Sequence, residues 1–294
     1  LRDRYGMRKG DRLLVQSANC NQMFEAAFAC WKLGCVWVPA NFRQTPEEVA
    51  WLAMSSGAKG LLAGAEFDAH IAACKDVAFT VAIGGAGEDD YDTLVAEFAD
   101  VPVSVAEVDR DDPAWFFFTS GTTGKPKAAV LTHGQLAFVI TNHLCDLMPG
   151  TGPDDASIVV APLSHGAGIH QLTQVAHGVK TILPGGAKFD PAEVWGLVAK
   201  WRVTNAFTVP TIVKMLVEHP SVHEHDHSSL RYMIYAGAPM YRADQIRAIE
   251  VLGPVLVQYF GLGEVTGNIT VLPPAQHSED DAVMRIGTCG FART

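Results

Sequence analysis

"FFFTSGTTGKPKAAVLTHGQ", Phe116 to Gln135, runs three aromatic residues into six small or hydroxyl-bearing ones, then two lysines flanking a proline, then a helix start. "AWFFF" (114–118) has the composition of a buried strand. Thr132 with Gln135 three residues on is a capping box, which predicts a helix over "THGQLAFVITNHLCDLM". The loop "TSGTTGKPK" (119–127) lies between them. Gly121 and Gly124 permit positive φ and close backbone approach, Ser120, Thr122 and Thr123 supply hydroxyls, and Lys125 and Lys127 supply positive charge. Small residues, donors and cations in one bend make a cradle for phosphate. The P-loop of nucleoside triphosphatases needs G-x-x-x-x-G-K-[ST]. Here Thr119 stands at its first glycine and Pro126 at its Ser/Thr, so that pattern fails at two positions. A flexible surface loop has the same composition, and only the order of residues argues against it.

Outward from this loop, short β-like runs alternate with amphipathic helix patterns, which predicts a layered α/β fold with mostly parallel sheets. "RLLVQS" (12–17), "CVWVPA" (35–40), "GLLAG", "TVAIG", "SIVVAP", "TILPG", "NAFTVP", "RYMIYAG" and "VLVQYFG" read as strands. "NQMFEAAFACWKLG" and "TPEEVAWLAMSSGAK" read as helices, the second opened by the capping box of Thr45 and Glu48 with Pro46 in its first turn. "DPAEVWGLVAKW" repeats that grammar with Asp190, Pro191 and Glu193. Gly, Pro and Asp clusters at 84–92 and 148–155 are candidate breaks. The second divides the chain into subdomains 1–150, with the phosphate loop, and 151–294.

With 294 residues, 48% hydrophobic and 18% charged, the chain can bury a sizeable core. A net charge of -10 without basic runs argues against nucleic-acid binding. The six cysteines have no C-x-x-C pair or regular spacing, which speaks against a zinc ribbon or disulfide framework and suits a reducing, cytoplasmic setting. No apolar run is long enough for a transmembrane segment, and "LRDRYGMRKGDR" is too charged for a secretory signal. The first residue is Leu, and the sequence stops at "GTCGFART" after the strand-like "MRIGTCG", so we expect a piece of a longer protein.

Four further stretches join "TSGTTGKPK": "APLSHGAGIH" (161–170), "YAGAPM" (235–240), "QYFGLGEVTG" (258–267) and "IGTCG" (286–290). In this order they resemble the signature segments of the adenylate-forming (AMP-binding) superfamily, which includes acyl-CoA synthetases, firefly luciferase and peptide-synthetase adenylation domains. The resemblance spans nearly the whole chain and is strongest to the N-terminal domain of acyl-CoA synthetase-like members. It implies that 151–294 carries the adenine and acyl pocket and enters a β-barrel region cut short at Thr294. The family's ribose-binding Asp, hinge and small C-terminal domain with its catalytic Lys would lie beyond Thr294, and the fragment alone would turn over poorly.

The resemblance implies ATP-dependent activation of a carboxylic acid to an acyl-adenylate with release of pyrophosphate, then thioester formation with coenzyme A. Neutralising phosphate oxygens and aligning attack would be the main catalytic tasks. Ser120, Gly121, Thr122, Thr123, Gly124 and Lys125 would wrap the β- and γ-phosphates, with Lys127 close by. Glu264, with Thr122, would hold Mg2+. Gly237, Ala238 and Pro239 would wall the adenine, Phe260 would stack on it in place of the usual Tyr, and Gln258 and Gly261 belong to the same segment. His165 would face the acyl pocket and the reacting carboxylate. Gly263 replaces the usual Thr whose hydroxyl meets the α-phosphate, and Ala128 replaces the usual Gly after "PK", which would matter if positive φ were needed there.

No acid lies between Pro162 and Leu172, which disfavours an amino-acid substrate, because its ammonium would be buried unpaired. Gly166, Ala167, Gly168, Ile169 and Met233 suggest an uncharged pocket for a fatty or aryl acid. Two alternatives stay open: an acyl-AMP ligase feeding a carrier protein, and a non-catalytic nucleotide-binding module. "HEHDH" (223–227) reads as a surface loop, His143, His170 and His177 share no ligand spacing, and Cys20, Cys30 and Cys35 read as buried filler.

Overall fold

The computed structural model describes residues 1–119, 124–186 and 188–294, which divide into two compact units, Leu1–Gln135 and Leu136–Thr294. In the first, α1 (Arg2–Tyr5), β1 (Arg12–Gln16), α2 (Asn21–Lys32), β2 (Val36–Pro39), α3 (Pro46–Ser56), β3 (Gly60–Gly64), α4 (Asp68–Ala73), β4 (Phe79–Ile83), α5 (Tyr91–Glu97), β5 (Pro113–Thr119) and β6 (Lys127–Thr132) follow in order. Its six-stranded sheet has the order β4-β3-β1-β2-β5-β6 and is parallel except for the β5–β6 pair.

Side chains alternate across this sheet with period 2. Val36 and Val38 pack with Val49 and Leu52 of α3. Trp37 between them turns the other way, its ring 6.2 Å from Trp31 and 6.5 Å from Phe24 of α2. Both faces of these strands are covered, so they read as unbroken apolar runs. Local grammar holds at α3: Thr45 Oγ1 accepts from Glu48 N while Glu48 reciprocates at Thr45 N, and Gly57 ends the helix in the left-handed region. At α2 the cap is Cys20, whose Sγ accepts from Met23 N at 3.4 Å. Cys20 is therefore a half-buried capping group rather than buried filler, while Cys30 and Cys35 are buried.

The second unit is entered through α6 (His133–Asn142), a π-helical turn over His143–Leu147, β7 (Ala156–Val159), α7 (Gly166–Ala176) and β8 (Lys180–Ile182). It continues through α8 (Pro191–Trp201), β9 (Asn205–Thr208), α9 (Pro210–Glu218), β10 (Tyr232–Tyr235), α10 (Arg242–Leu252), β11 (Leu256–Leu262), β12 (Gly267–Leu272) and β13 (Phe291–Ala292). The seven-stranded sheet has the order β13-β12-β11-β10-β9-β7-β8, and only the β11–β12 and β12–β13 pairs are antiparallel.

One face packs on α8, α9 and α10 through Met233, Trp195, Leu216 and Ala248. The other packs Ile234, Val257, Tyr259 and Phe207 against Ala167 of α7, Leu147 and Met148. This alternation corrects one expectation: Met233 and Ala167 lie on opposite faces, so they cannot line one pocket. Asp190 caps α8 by accepting from Ala192 N, but Glu193 reaches Gly185 N at 2.7 Å instead of closing a capping box.

"MRIGTCG" is not a strand. Turns occupy it, with Gly287 and Gly290 at positive φ, and the strand begins at Phe291. Gly290 packs so closely on β12 that a Cβ there would lie 2.0 Å from the Val271 carbonyl oxygen.

Candidate functional site

In the first unit the phosphate-loop candidate closes a hairpin. Thr119 of β5 pairs with Lys127 of β6, and Phe118 pairs with Ala128. The expected order of strand, loop and helix is thereby corrected to strand, loop, strand, helix. The capping box is present, with Thr132 N donating to Gln135 Oε1 at 2.8 Å and Gln135 N to Thr132 Oγ1 at 3.3 Å. It stands at the far end of the six-residue β6, roughly 17 Å from the loop at ~3.3 Å per residue. A helix dipole acts within its first turn, so α6 contributes nothing to an anion held at the loop.

The side chains of Phe116 and Phe118 lean on the α3 core and Phe117 lies beside Trp115, all three half-buried. Ser120, Gly121, Thr122 and Thr123 lie outside the described residues. Gly124 has φ +85° with nothing within 4 Å of where a Cβ would stand, so backbone conformation rather than space requires glycine. Lys125 and Lys127 are exposed. Ala128 is ordinary extended strand without positive φ, so no glycine is needed there.

The other candidates belong to the second unit and gather by topology. Strands β7, β9, β10 and β11 are parallel neighbours, so the segments leaving their C-terminal ends lie along one edge of the sheet, where ligands bind in open α/β folds. His165 follows β7 as the N-cap of α7, Gly237–Pro239 follow β10, and Glu264 follows β11 in a 3-10 turn over Gly263–Val265. Tyr235 pairs with Gln258, and β11 runs on, so Phe260 stands level with Gly237. Gly237 takes φ +83°, Ala238 and Pro239 are exposed, and Phe260 is 48% exposed, leaving an open aromatic residue beside a side-chain-poor turn. Gly261 is demanded by packing, because a Cβ there would meet the Gly267 carbonyl oxygen at 1.5 Å.

Glu264 is exposed and makes no ion pair among the described residues. Two residues on, Thr266 has φ +59°, an uncommon conformation for a branched side chain and one found at functional turns. No group of three or more metal-ligating side chains occurs among the described residues. A single free carboxylate at a strand end suits Mg2+, which takes one or two protein carboxylates and completes its shell with phosphate and water. Gly263 is not among the described glycines at positive φ, so no left-handed backbone explains its missing side chain.

His165 is half-buried, its Nδ1 lies 2.8 Å from Ser164 Oγ, and burial lowers its pKa, so it is neutral at pH 7. Gly166 beside it is held by packing: a Cβ there would lie 2.6 Å from Phe207 Cζ.

Sequence reasoning missed two networks. Behind the turn at Gly237, the buried Tyr235 hydroxyl donates to Gln258 Oε1 at 3.0 Å, accepts from Gln245 Nε2 at 3.2 Å and lies 3.1 Å from His277 Nε2. Burial pushes this phenol up to about 12, keeping it a neutral donor. Beneath α7, His143 and His170, far apart in sequence, have ring centroids 6.0 Å apart. His170 Nε2 lies 2.9 Å from Asn205 Oδ1, and His143 Nδ1 lies 3.0 Å from the Val139 carbonyl. Neither pattern has a local sequence signal, since partners come from different strands and helices. "HEHDH" begins at the last residue of the 3-10 turn Pro220–His223 and is loop from Glu224 on. No helix among the described residues is long and apolar enough to cross a membrane.

Residues 1–293 match the family described as AMP-binding enzyme. A feruloyl-CoA synthase from Amycolatopsis sp is 34% identical over 290 residues, covering 97% of this chain and 55% of the relative. The fatty acid–[acyl-carrier-protein] ligase ScoC of Streptomyces coeruleorubidus is 30% identical over 292 residues, covering 95% and 54%. The crystal structure of the N-terminal domain of FACL13 from Mycobacterium tuberculosis superposes with a TM-score of 0.82 at 26% identity, covering 99% of this chain and 71% of that one. The chain thus spans about half the length of the curated relatives it matches. Its two largely parallel sheets are those of the N-terminal domain of adenylate-forming enzymes, and the chain belongs to the AMP-binding enzyme family.

Proposed function

We propose that the protein activates a fatty or aryl carboxylic acid with ATP, releasing pyrophosphate and forming an acyl-adenylate, and then passes the acyl group to the thiol of coenzyme A. The observation that carries this reading is the alignment of His165, Gly237–Pro239, Phe260 and Glu264 along the C-terminal edge of one parallel sheet. Phe260 and the backbone of Gly237–Pro239 hold the adenine, with Gln258 fixed behind them by Tyr235. Ser120–Lys125 and Lys127 take the β- and γ-phosphates. Glu264 would hold Mg2+, which would supply charge neutralisation on the phosphate oxygens. His165, kept neutral by burial, presents a hydrogen-bonding group to the reacting carboxylate without a competing positive charge. A carboxylate oxygen attacks the α-phosphorus, the bond to the β-phosphate oxygen breaks, and pyrophosphate leaves with that electron pair. The thiol, its proton given up to water, then attacks the acyl carbon through sulfur, the bond from that carbon to the AMP phosphate oxygen breaks, and AMP departs with the electron pair.

Relatives named both as CoA ligases and as a carrier-protein ligase support the activation step and leave two thiol acceptors. Pyrophosphate exchange into ATP, run with a panel of fatty and aryl acids, tests the first step. Acid-dependent label in ATP is expected, and tight ATP binding without exchange for any acid points to a non-catalytic nucleotide module. Product dependence on coenzyme A then separates the acceptors. Lys125→Ala and Glu264→Ala are each expected to weaken Mg·ATP binding about tenfold or more, the worth of a hydrogen bond or contact to a charged group. Unchanged affinity in both removes the site assignment.

A further inference from the structure

Trp51 lies 74 positions before Lys125, on α3, and no motif marks it. In the folded first unit the Lys125 ammonium sits 3.9 Å from the centre of the Trp51 indole, well within the range of a cation–π contact. The same indole donates from Nε1 to the Pro126 carbonyl at 3.4 Å. It packs against the same core cluster as Phe116 and Phe118, the residues that lead into the loop. One side chain thus grips the loop's exit at two consecutive residues, from a seat shared with the loop's entry. We infer that Trp51 is a positioning residue for phosphate binding, holding Lys125 ready before a polyphosphate arrives; this rests on the reading of the loop as the phosphate site.

The physical argument concerns order. An exposed lysine loses much rotamer freedom when it meets a phosphate, and a side chain already held in place loses less. The stack does not use up the ammonium. It has three N–H donors, and one side on the ring leaves others free for phosphate oxygens. The Nε1 bond to Pro126 restrains the backbone just after Lys125, so both ends of the lysine are restrained by one group. Trp gives the strongest such contact among the aromatic side chains, which makes the residue type part of the inference.

The test uses the full chain and two probes, Mg·ATP and inorganic tripolyphosphate, with binding measured by calorimetry. Trp51→Leu removes both contacts and is expected to weaken both probes about threefold to thirtyfold. Trp51→Phe keeps a ring face and most of the packing, is expected to lose less, and carries the test alone if the leucine variant does not fold. In a Lys125→Met background either Trp51 substitution is expected to add less than about twofold, because the group it positions is gone. In pyrophosphate exchange the KM for ATP should rise while the KM for the acid stays constant. Wild-type binding of both probes with no change in either Trp51 variant overturns the inference and leaves the phosphate site standing. An equal Trp51 effect with and without Lys125 also overturns it, as general packing. Wild type that binds neither probe overturns the phosphate site together with this inference.

Discussion

Lowering the pH from 7 to 5 should destabilise the second unit by an amount that His143 and His170 largely set. Both imidazoles are buried, at 1% and 0% exposure, and no carboxylate compensates a charge on either. Burial lowers His143 to about 3, with His170 and Arg293 disfavouring its proton further. It lowers His170 to about 4 despite the hydrogen bond to Asn205. Unfolded, each recovers a pKa of about 6.5. Between these values the unfolded chain binds protons that the folded chain refuses, so stability is full above pH ~6.5 and falls as pH drops toward ~4.

From pH 7 to 5 each site costs about 1.9 kcal/mol, or about 4 kcal/mol for the pair, and ordinary carboxylates titrate only below this window. His165 and His277, also lowered by burial, add to the wild-type slope, so the comparison must be with variants. In His143→Gln or His170→Gln the loss between pH 7 and 5, measured by urea unfolding followed by circular dichroism, should shrink by about 2 kcal/mol. A variant that loses stability as steeply as wild type, to within about 0.5 kcal/mol, refutes the argument.

Gly261→Ala should cost about 3 kcal/mol or more in urea unfolding, since backbone rather than a flexible side chain blocks its Cβ, and a loss under about 1 kcal/mol would contradict the close approach of β12. Phe260→Ala should weaken AMP binding by about 1–3 kcal/mol, the worth of stacking a base on a ring, while Phe260→Tyr should bind as wild type; equal binding by all three separates this ring from the adenine. Gly263→Thr, adding a hydroxyl where the backbone does not demand glycine, should raise the exchange rate by up to about a hundredfold if that donor limits adenylation. An unchanged rate shows that it does not.

Much of the architecture was legible because its cause is local. Capping boxes at Thr45 and Thr132 and apolar strand runs between amphipathic helices announce parallel βα layers. The antiparallel pieces escaped: β6 and β12 each begin at the last residue of a motif segment, Lys127 and Gly267, and become strands by pairing with β5 and β11. At the candidate site, the family resemblance singled out Gly237, Phe260 and Glu264 along the chain, and the sheet's topology and register place them along one edge. Faces were harder. Placing Met233 with Ala167 required knowing which way each strand residue points, and one step in a period of two reverses the answer. Contacts such as Tyr235 with His277 and Trp51 with Lys125 join distant segments and leave no trace in local spacing.

The pairing of Ala128 with Phe118 bears on how sequences of this kind are sorted. A pattern that insists on glycine at that position tests for a freedom this main chain does not exercise, since any residue content in a pleated ribbon serves here. Search criteria weighted toward Gly124, whose torsion does require it, would retain divergent members that a stricter signature discards.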